Sequence, residues 1–464
     1  MKLADRHIIY FLGIGGIGMS ALARWFMHSG KKVYGYDKTN TPLTNALESE
    51  GAGIHYHDDG EKSIPEAVLA QKDRVLVIFT PAVPTDHQEL EYLKNHDFTI
   101  LKRSEVLGLI TNDLHSVAVA GTHGKTTTSS MIAHILKTAK KPSLSIMGGI
   151  LQGYESNLIM EGTTGPETIA VLEADEYDRS FLRLTPDIAV VTSADPDHLD
   201  IYGDHGAMKT SFLEFVNKIK PGGHAYVHQS LAGWLHSNVK QVATHTYGLG
   251  EGQNNAKNIQ VADSEFTFDF QGEDGFATDI HLAIPGFHNV ENATAAVSVC
   301  RKLGIDIKDI KNALATFKGV KRRFEYHIKT NDLVYIDDYA HHPTEIRAFI
   351  ESVRKLYPGK RITAIFQPHL FSRTRDFVDG FASSLDLADE ILLMNIYPAR
   401  ELPMEGVTSA IIYDRMKNRN KKIVENSSVL SEIAALKPEV LLTIGAGDID
   451  RFVPQIEELL LMKR

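Results

Sequence analysis

The sequence predicts an α/β chain of about three domains built on mostly parallel sheets. Three observations carry this. Apolar strand-like runs alternate with amphipathic stretches through the first hundred residues, two glycine-rich turns each follow a strand and open a helix, and the alternation resumes near residue 319. The length, 464 residues, is what about three domains of ordinary size require.

Taken in order, positions 8–12, 33–36 and 75–79 are apolar runs of strand length, and 19–28 and 44–49 carry helical spacing. A second α/β unit opens with the strand 116–120, which breaks directly into Gly121-Thr122-His123-Gly124-Lys125 and is followed by strands at 168–172 and 188–191. Between about 242 and 284 the texture changes. Phe266-Thr267-Phe268-Asp269-Phe270 alternates apolar with polar at period two, which predicts an antiparallel β insertion or edge. Helices return at 289–303 and 307–317, and a third unit carries strands at 333–336, 362–366, 391–394 and 440–444. These changes divide the chain into 1–107, 108–318 and 319–464.

Composition narrows the function classes. Hydrophobic residues are 43% and charged residues 23%, so real cores are available. Lys plus Arg number 49 against 59 Asp plus Glu, a net charge of −10 that excludes a broad nucleic-acid surface but leaves room for a local phosphate pocket. No run of about 18 apolar residues predicts membrane insertion, and the first residues lack a signal-peptide layout, so the cytoplasm is the expected compartment. Cys300 is the only cysteine, which excludes an intrachain disulfide and a cysteine zinc cluster. Its apolar helical setting predicts a buried thiol rather than a nucleophile.

The chemistry-bearing residues cluster at strand ends. Gly13-Ile14-Gly15-Gly16-Ile17-Gly18 follows the first strand and opens a helix, a turn that brings backbone N–H groups to a phosphate. Asp37 ends the second strand where a ribose-binding acid would sit. A nicotinamide cofactor and a nucleotide-sugar diphosphate satisfy these donors equally, and a glycine turn without ligand is the plain alternative. Gly121-Thr122-His123-Gly124-Lys125-Thr126-Thr127 is more specific: a strand–loop–helix phosphate cradle in which Lys125 meets the β/γ-phosphates and Thr126 can ligate Mg²⁺. Its glycines are closer together than in the usual phosphate loop, and ATP is the expected ligand. Glu173-Ala174-Asp175-Glu176 ends the next strand with carboxylates suited to Mg²⁺. Asp197-His198-Leu199-Asp200 brings His198 to the same edge, where ligation and a structural role remain open.

Together with Gly13–Ser20, the following motifs resemble the Mur ligase family in order and spacing over essentially the whole chain: the phosphate loop, Glu173–Glu176, Asp197–Asp200, His288-Asn289-Val290-Glu291-Asn292, Arg322-Arg323-Phe324, Asp337-Asp338-Tyr339-Ala340-His341-His342-Pro343-Thr344-Glu345 and Gly445-Ala446-Gly447-Asp448. The Gly13–Ser20 and Asp337–Glu345 stretches are nearest the members that add L-alanine to UDP-N-acetylmuramate. The resemblance implies an N-terminal Rossmann-like domain for the UDP-sugar, a central P-loop ATPase domain and a C-terminal Rossmann-like domain closing over nucleotide and amino acid. It implies ATP and two Mg²⁺ ions, with Thr126, Glu173 and His198 at metal and Lys125, Glu173 and His198 as the catalytic set. Gly121, Thr122, His123, Gly124, Lys125, Thr126, Thr127, Asn292, Arg323 and Asp338 would bind ATP. Gly15, Gly16, Gly18, Ser20, Asp37 and Arg103 would bind the UDP-sugar. Arg373, with Tyr339 and His341, is the expected grip on the amino acid, because a guanidinium holds a carboxylate bidentately.

Three departures stand out. Lys209 lies in the region of a carbamylated lysine of later family members and is not assigned that role, Ser193 replaces a common asparagine, and Leu370 stands where an arginine is usual. The competing readings are a ligase that recycles a preformed tripeptide onto the same sugar nucleotide, an NAD-dependent oxidoreductase, which leaves residues 121–127 unexplained, and a regulatory P-loop NTPase.

Overall fold

The computed structural model describes residues 3–462 apart from 85, 198, 237, 240, 241, 263, 264 and 400. His198 therefore lies outside the described residues. Three sheets make a three-domain α/β architecture, organised as two compact units. The first holds 1–255 with 272–275 and 294–313, and the second holds 256–271, 276–293 and 314–464.

In the first unit, β1 (Ile8–Leu12), β2 (Lys32–Tyr36), β3 (Gly53–His55), β4 (Val75–Phe79) and β5 (Ile100–Lys102) form a parallel sheet in the order β3-β2-β1-β4-β5. β1 is buried on both faces, as a parallel strand covered by helices must be: Ile8, Tyr10 and Leu12 join one core and Ile9 and Phe11 another. The short strands β3 and β5 have three residues each, too few for any apolar period to be legible.

The central sheet comprises β6 (His115–Ala120), β7 (Ser143–Leu151), β8 (Ser156–Glu161), β9 (Ile169–Glu173), β10 (Ile188–Val191), β11 (His224–His228) and β12 (Ala243–Leu249), ordered β12-β11-β10-β6-β9-β7-β8. Neighbouring strands in this order run parallel except for the antiparallel β7–β8 pair. The sequence pattern does not announce β7, because Ser143 and Ser145 alternate with its apolar residues and are themselves buried. One core runs from Ile9, Leu22 and Phe26 to Ala118, Leu144, Leu158 and Phe212. The expected antiparallel insertion from residue 242 needs correcting at its start: β12 pairs parallel with β11. Cys300 is buried, and burial pushes its thiol well up, which fits the structural role expected of it.

The second unit holds most of β13 (Asn254–Ala262), β14 (Glu265–Gly272) and β15 (Gly275–Leu282), which are successive neighbours. The two-residue turn between β14 and β15 makes that pair a hairpin, with Phe266, Phe268 and Phe270 all pointing to the buried face. β16 (Glu325–Lys329), β17 (Val334–Asp338), β18 (Ile362–Phe366), β19 (Glu390–Met394), β20 (Lys421–Val424) and β21 (Val440–Ile444) form a sheet in the order β16-β17-β21-β18-β19-β20, parallel except for β16. Tyr335, Ile365, Leu392, Leu441, Ile456 and Leu460 fill one of its faces.

Candidate active site

The phosphate loop forms where β6 ends, because its glycines can go where other residues cannot. Gly121 has φ +136°, and a Cβ there would meet Thr192 Oγ1 at 2.0 Å. The loop is braced from the segment that follows β10: Ser193 Oγ accepts the His123 N–H at 2.8 Å and bonds Thr122 Oγ1 at 2.9 Å, and His123 Nε2 lies 3.3 Å from Asp195. Ser193 thus has a definite place, supporting the loop, although the residue type departs from the family habit. Thr127 is buried in the first turn of the following helix, Lys125–Thr138.

Lys125 is almost enclosed. Its Nζ donates to Gly121 O at 2.6 Å and to Glu176 Oε1 at 2.9 Å, and the Glu176 side chain is 1% exposed. Burial works against the ammonium, but Glu176, Glu173 and Asp175 outweigh it and hold Lys125 charged. Burial lifts the Glu176 carboxyl to about 7, against the opposing pull of Lys125, and its Oε2 has no hydrogen-bond partner among the described residues. Tyr202 secures the same residue through its backbone, donating to Glu176 O at 2.6 Å. The sequence reading passed over Glu176, although it stands in the acidic run.

Beside this pair, Thr126 Oγ1 donates to Glu173 Oε1 at 3.1 Å, and Gly148 N–H on β7 donates to Glu173 Oε2 at 3.0 Å. Hard oxygen donors converging next to a phosphate cradle fit Mg²⁺. Lys209 is occupied elsewhere, its ammonium 5.9 Å above the Trp234 ring.

The glycine-rich turn lies in the same unit. Gly15 N–H donates to Asp37 Oδ2 at 2.8 Å and Thr39 N–H to Asp37 Oδ1 at 3.1 Å, so the acid at the end of β2 holds the turn in shape. Gly16 caps the helix Ile17–His28. Ser20 is fully buried, its hydroxyl donating to Ile17 O at 2.9 Å. The Arg103 guanidinium packs directly against Gly18, its Nη1 2.5 Å from where a Cβ would stand, and Arg103 Nη2 continues to Asp175 Oδ2 at 3.4 Å.

In the second unit the predicted residues again gather. Asp338 accepts from Phe324 N–H and Ala340 N–H, each at 2.8 Å, and burial raises its carboxyl to about 6 against the pull of Arg323. Arg323 lies 3.6 Å from Glu345 and 5.1 Å above the Tyr339 ring. His341 Nδ1 donates to Tyr339 O at 3.0 Å, and the His341 backbone N–H donates to Glu345 Oε2 at 3.0 Å. His288, which sequence reasoning left without a role, is half-buried beside Glu291, Arg323 and Glu345, and desolvation of its ring drives it down to about 4. Asn292 is buried and bonds Asn289 Oδ1 at 3.4 Å.

Arg373 is 5% exposed, whereas Arg375 takes the surface position and pairs with Asp376 at 2.7 Å. Leu370 is buried at φ +69°, its N–H donating to Tyr397 O, and it starts the short helix that carries Arg373. Such a conformation costs a branched side chain on the order of 1–3 kcal/mol.

Comparison with known proteins agrees with this arrangement. Residues 8–115 match the Mur ligase family catalytic domain, 119–300 the Mur ligase middle domain and 322–449 the Mur ligase glutamate ligase domain. UDP-N-acetylmuramate–L-alanine ligases of Cytophaga hutchinsonii and Flavobacterium johnsoniae are each 48% identical, covering 99% of this chain and 98% and 99% of theirs. The crystal structure of the Thermotoga maritima UDP-N-acetylmuramate–alanine ligase superposes with a TM-score of 0.78 at 28% identity over 98% of this chain and 99% of that one. A murein peptide ligase from Psychrobacter arcticus shares the fold at a TM-score of 0.69 and 24% identity, covering 98% of each chain. With full-length relatives at this identity and all three domains matched in order, the chain belongs to the Mur ligase family.

Proposed function

We propose that this chain is an ATP-dependent carbon–nitrogen ligase that joins L-alanine to the lactyl carboxylate of UDP-N-acetylmuramate, a step in peptidoglycan precursor synthesis in the cytoplasm. The observation that carries it is one compact unit holding both a sugar-nucleotide turn and a phosphate loop, with Arg103 lying against Gly18 of the first and bonded to the acidic segment beside the second. A lactyl carboxylate oxygen attacks the γ-phosphorus in line, ADP leaves, and an acyl phosphate forms. The alanine amine then attacks that carbonyl, and the tetrahedral intermediate expels phosphate to leave the amide.

Positioning and electrostatics dominate phosphoryl transfer. Lys125 neutralises the transferring group, and the amides of Gly121–Thr127 cradle the phosphates. Thr126, Glu173 and His198 would hold Mg²⁺, which supplies charge neutralisation on the phosphate oxygens when bound. Asn292, Arg323 and Asp338 are assigned to ATP, Gly15, Gly16, Gly18, Asp37 and Arg103 to the UDP-sugar, and Tyr339, His341 and Arg373 to the amino acid. Ser20 supports the turn from within. We place the domain edges at 107/108 and 318/319. Among the described residues no helix is long and apolar enough to cross a membrane.

The test is phosphate release from ATP with UDP-N-acetylmuramate and no acceptor, L-alanine, or the tripeptide. Release that needs L-alanine is the expected result. Release with the tripeptide alone would indicate recycling, release without sugar nucleotide a P-loop NTPase, and NADH binding by fluorescence an oxidoreductase.

A further inference from the structure

Asn157 lies on β8, the outer strand of the central sheet, and its side chain is completely buried. Its Nδ2 donates to Ile17 O at 2.5 Å and to Ser20 Oγ at 2.9 Å, and its Oδ1 accepts from Arg24 Nη1 at 2.6 Å. All three partners belong to the helix Ile17–His28, which starts at the glycine-rich turn. Arg24, itself buried, also grips Glu50 in a bidentate pair, with Nε to Oε2 and Nη2 to Oε1 both at 2.8 Å. A buried amide with donors and acceptor all used is a directional joint, since each bond holds only at one relative placement of strand and helix. On the opposite side of that first helical turn stands Arg103, against Gly18 and bonded to Asp175.

The reaction makes this placement matter. An attacking oxygen must come within about 3–3.5 Å of its target, and a displacement of about 1 Å can cost roughly 10²-fold in rate. The sugar nucleotide is held at one loop and ATP at the other, so the spacing of the two loops sets whether carboxylate meets γ-phosphate.

We propose that Asn157 is a positioning residue, a buried amide on the ATP-binding sheet that fixes the first turn of the sugar-nucleotide helix relative to the phosphate loop. This rests on the functional reading above. The informative variant is Asn157→Asp, which keeps the shape and an acceptor for Arg24 but offers no donor to Ile17 O or Ser20 Oγ. Its kcat/KM for UDP-N-acetylmuramate should fall by about tenfold or more, while ADP affinity by calorimetry stays within about twofold. Ser20→Ala should show a smaller fall, about threefold, and the double variant should be no worse than Asn157→Asp, because both act through one joint. If Asn157→Asp does not fold, Ser20→Ala carries the test alone. Wild-type phosphate release tests the functional reading, and its absence would remove the inference too. Given that release, a kcat/KM within about twofold of wild type, or a fall matched by an equal loss of ADP affinity, overturns the positioning role by itself.

Discussion

Replacing Lys125 with Ala perturbs chemistry and stability at once, and the structure separates the two. The ammonium lies 2.9 Å from Glu176 Oε1, in a site where the carboxylate is 1% exposed. Breaking a buried ion pair by removing one member typically costs about 3–5 kcal/mol. Here the cost depends on pH. The Glu176 carboxyl is already raised to about 7 from an ordinary 4.5, so the folded wild type binds more protons than the unfolded chain across that window and loses stability as pH rises through it. Without Lys125, which lowers that value, the carboxyl climbs further, and the loss continues above pH 7. The variant's deficit should therefore be smallest near about pH 6 and widen by up to about 1.4 kcal/mol per unit toward about pH 8. Urea unfolding across that range reads it directly. Turnover should fall by roughly 10³-fold, the usual cost of removing one group that stabilises transferring charge, with UDP-sugar affinity nearly unchanged. A deficit constant with pH would refute the account of Glu176, and wild-type turnover would take residues 121–127 out of the chemistry.

Three further outcomes are expected. Gly148→Ala would place a Cβ 2.4 Å from Glu173 Oε2, forcing that carboxylate away from Thr126, so a magnesium titration should show about a tenfold higher requirement. Arg373→Ala should raise KM for L-alanine by about tenfold or more, with the other two substrates little affected; a uniform loss in steady-state kinetics would remove the assignment. Glu89→Gln tests a buried carboxyl outside the site. Glu89 is fully buried, receives the Tyr10 hydroxyl at 2.5 Å, lies 3.5 Å from His55 and is raised by burial to about 8. Wild-type stability should fall as pH rises from about 4.5 to 8, because the folded state holds the proton longer, and the Gln variant should lose that slope and gain a few kcal/mol on wild type by the upper end. Parallel pH–stability curves for the two proteins would show that Glu89 does not titrate there.

Much of this molecule is legible in one dimension because its parallel strands are buried on both faces and appear as apolar runs, β1, β4, β6, β10 and β18 among them. The phosphate loop is equally local. Its glycines, Lys125 and Thr126 are neighbours in the chain, so spacing alone announces the cradle. The residues at strand ends, Glu173 and Asp338, follow from the same logic, since parallel sheets present ligands at that edge. Tertiary structure decided what depends on partners distant in sequence. Glu176 looks like one more acid in a run until its enclosure beside Lys125 gives it a counter-ion, and Asn157 looks like a polar residue on a weak strand until it is found gripping a helix 140 residues upstream. That Asp37 accepts from Gly15 N–H, and that the Ser20 hydroxyl is buried between Ile17 O and Asn157 Nδ2, are likewise visible only in the fold, because a backbone bent that sharply needs acceptors the local pattern does not name. Local pattern is written by which residues must be buried. Pairing between buried polar groups is written by the fold, because each such group must find its partner wherever the chain brings one.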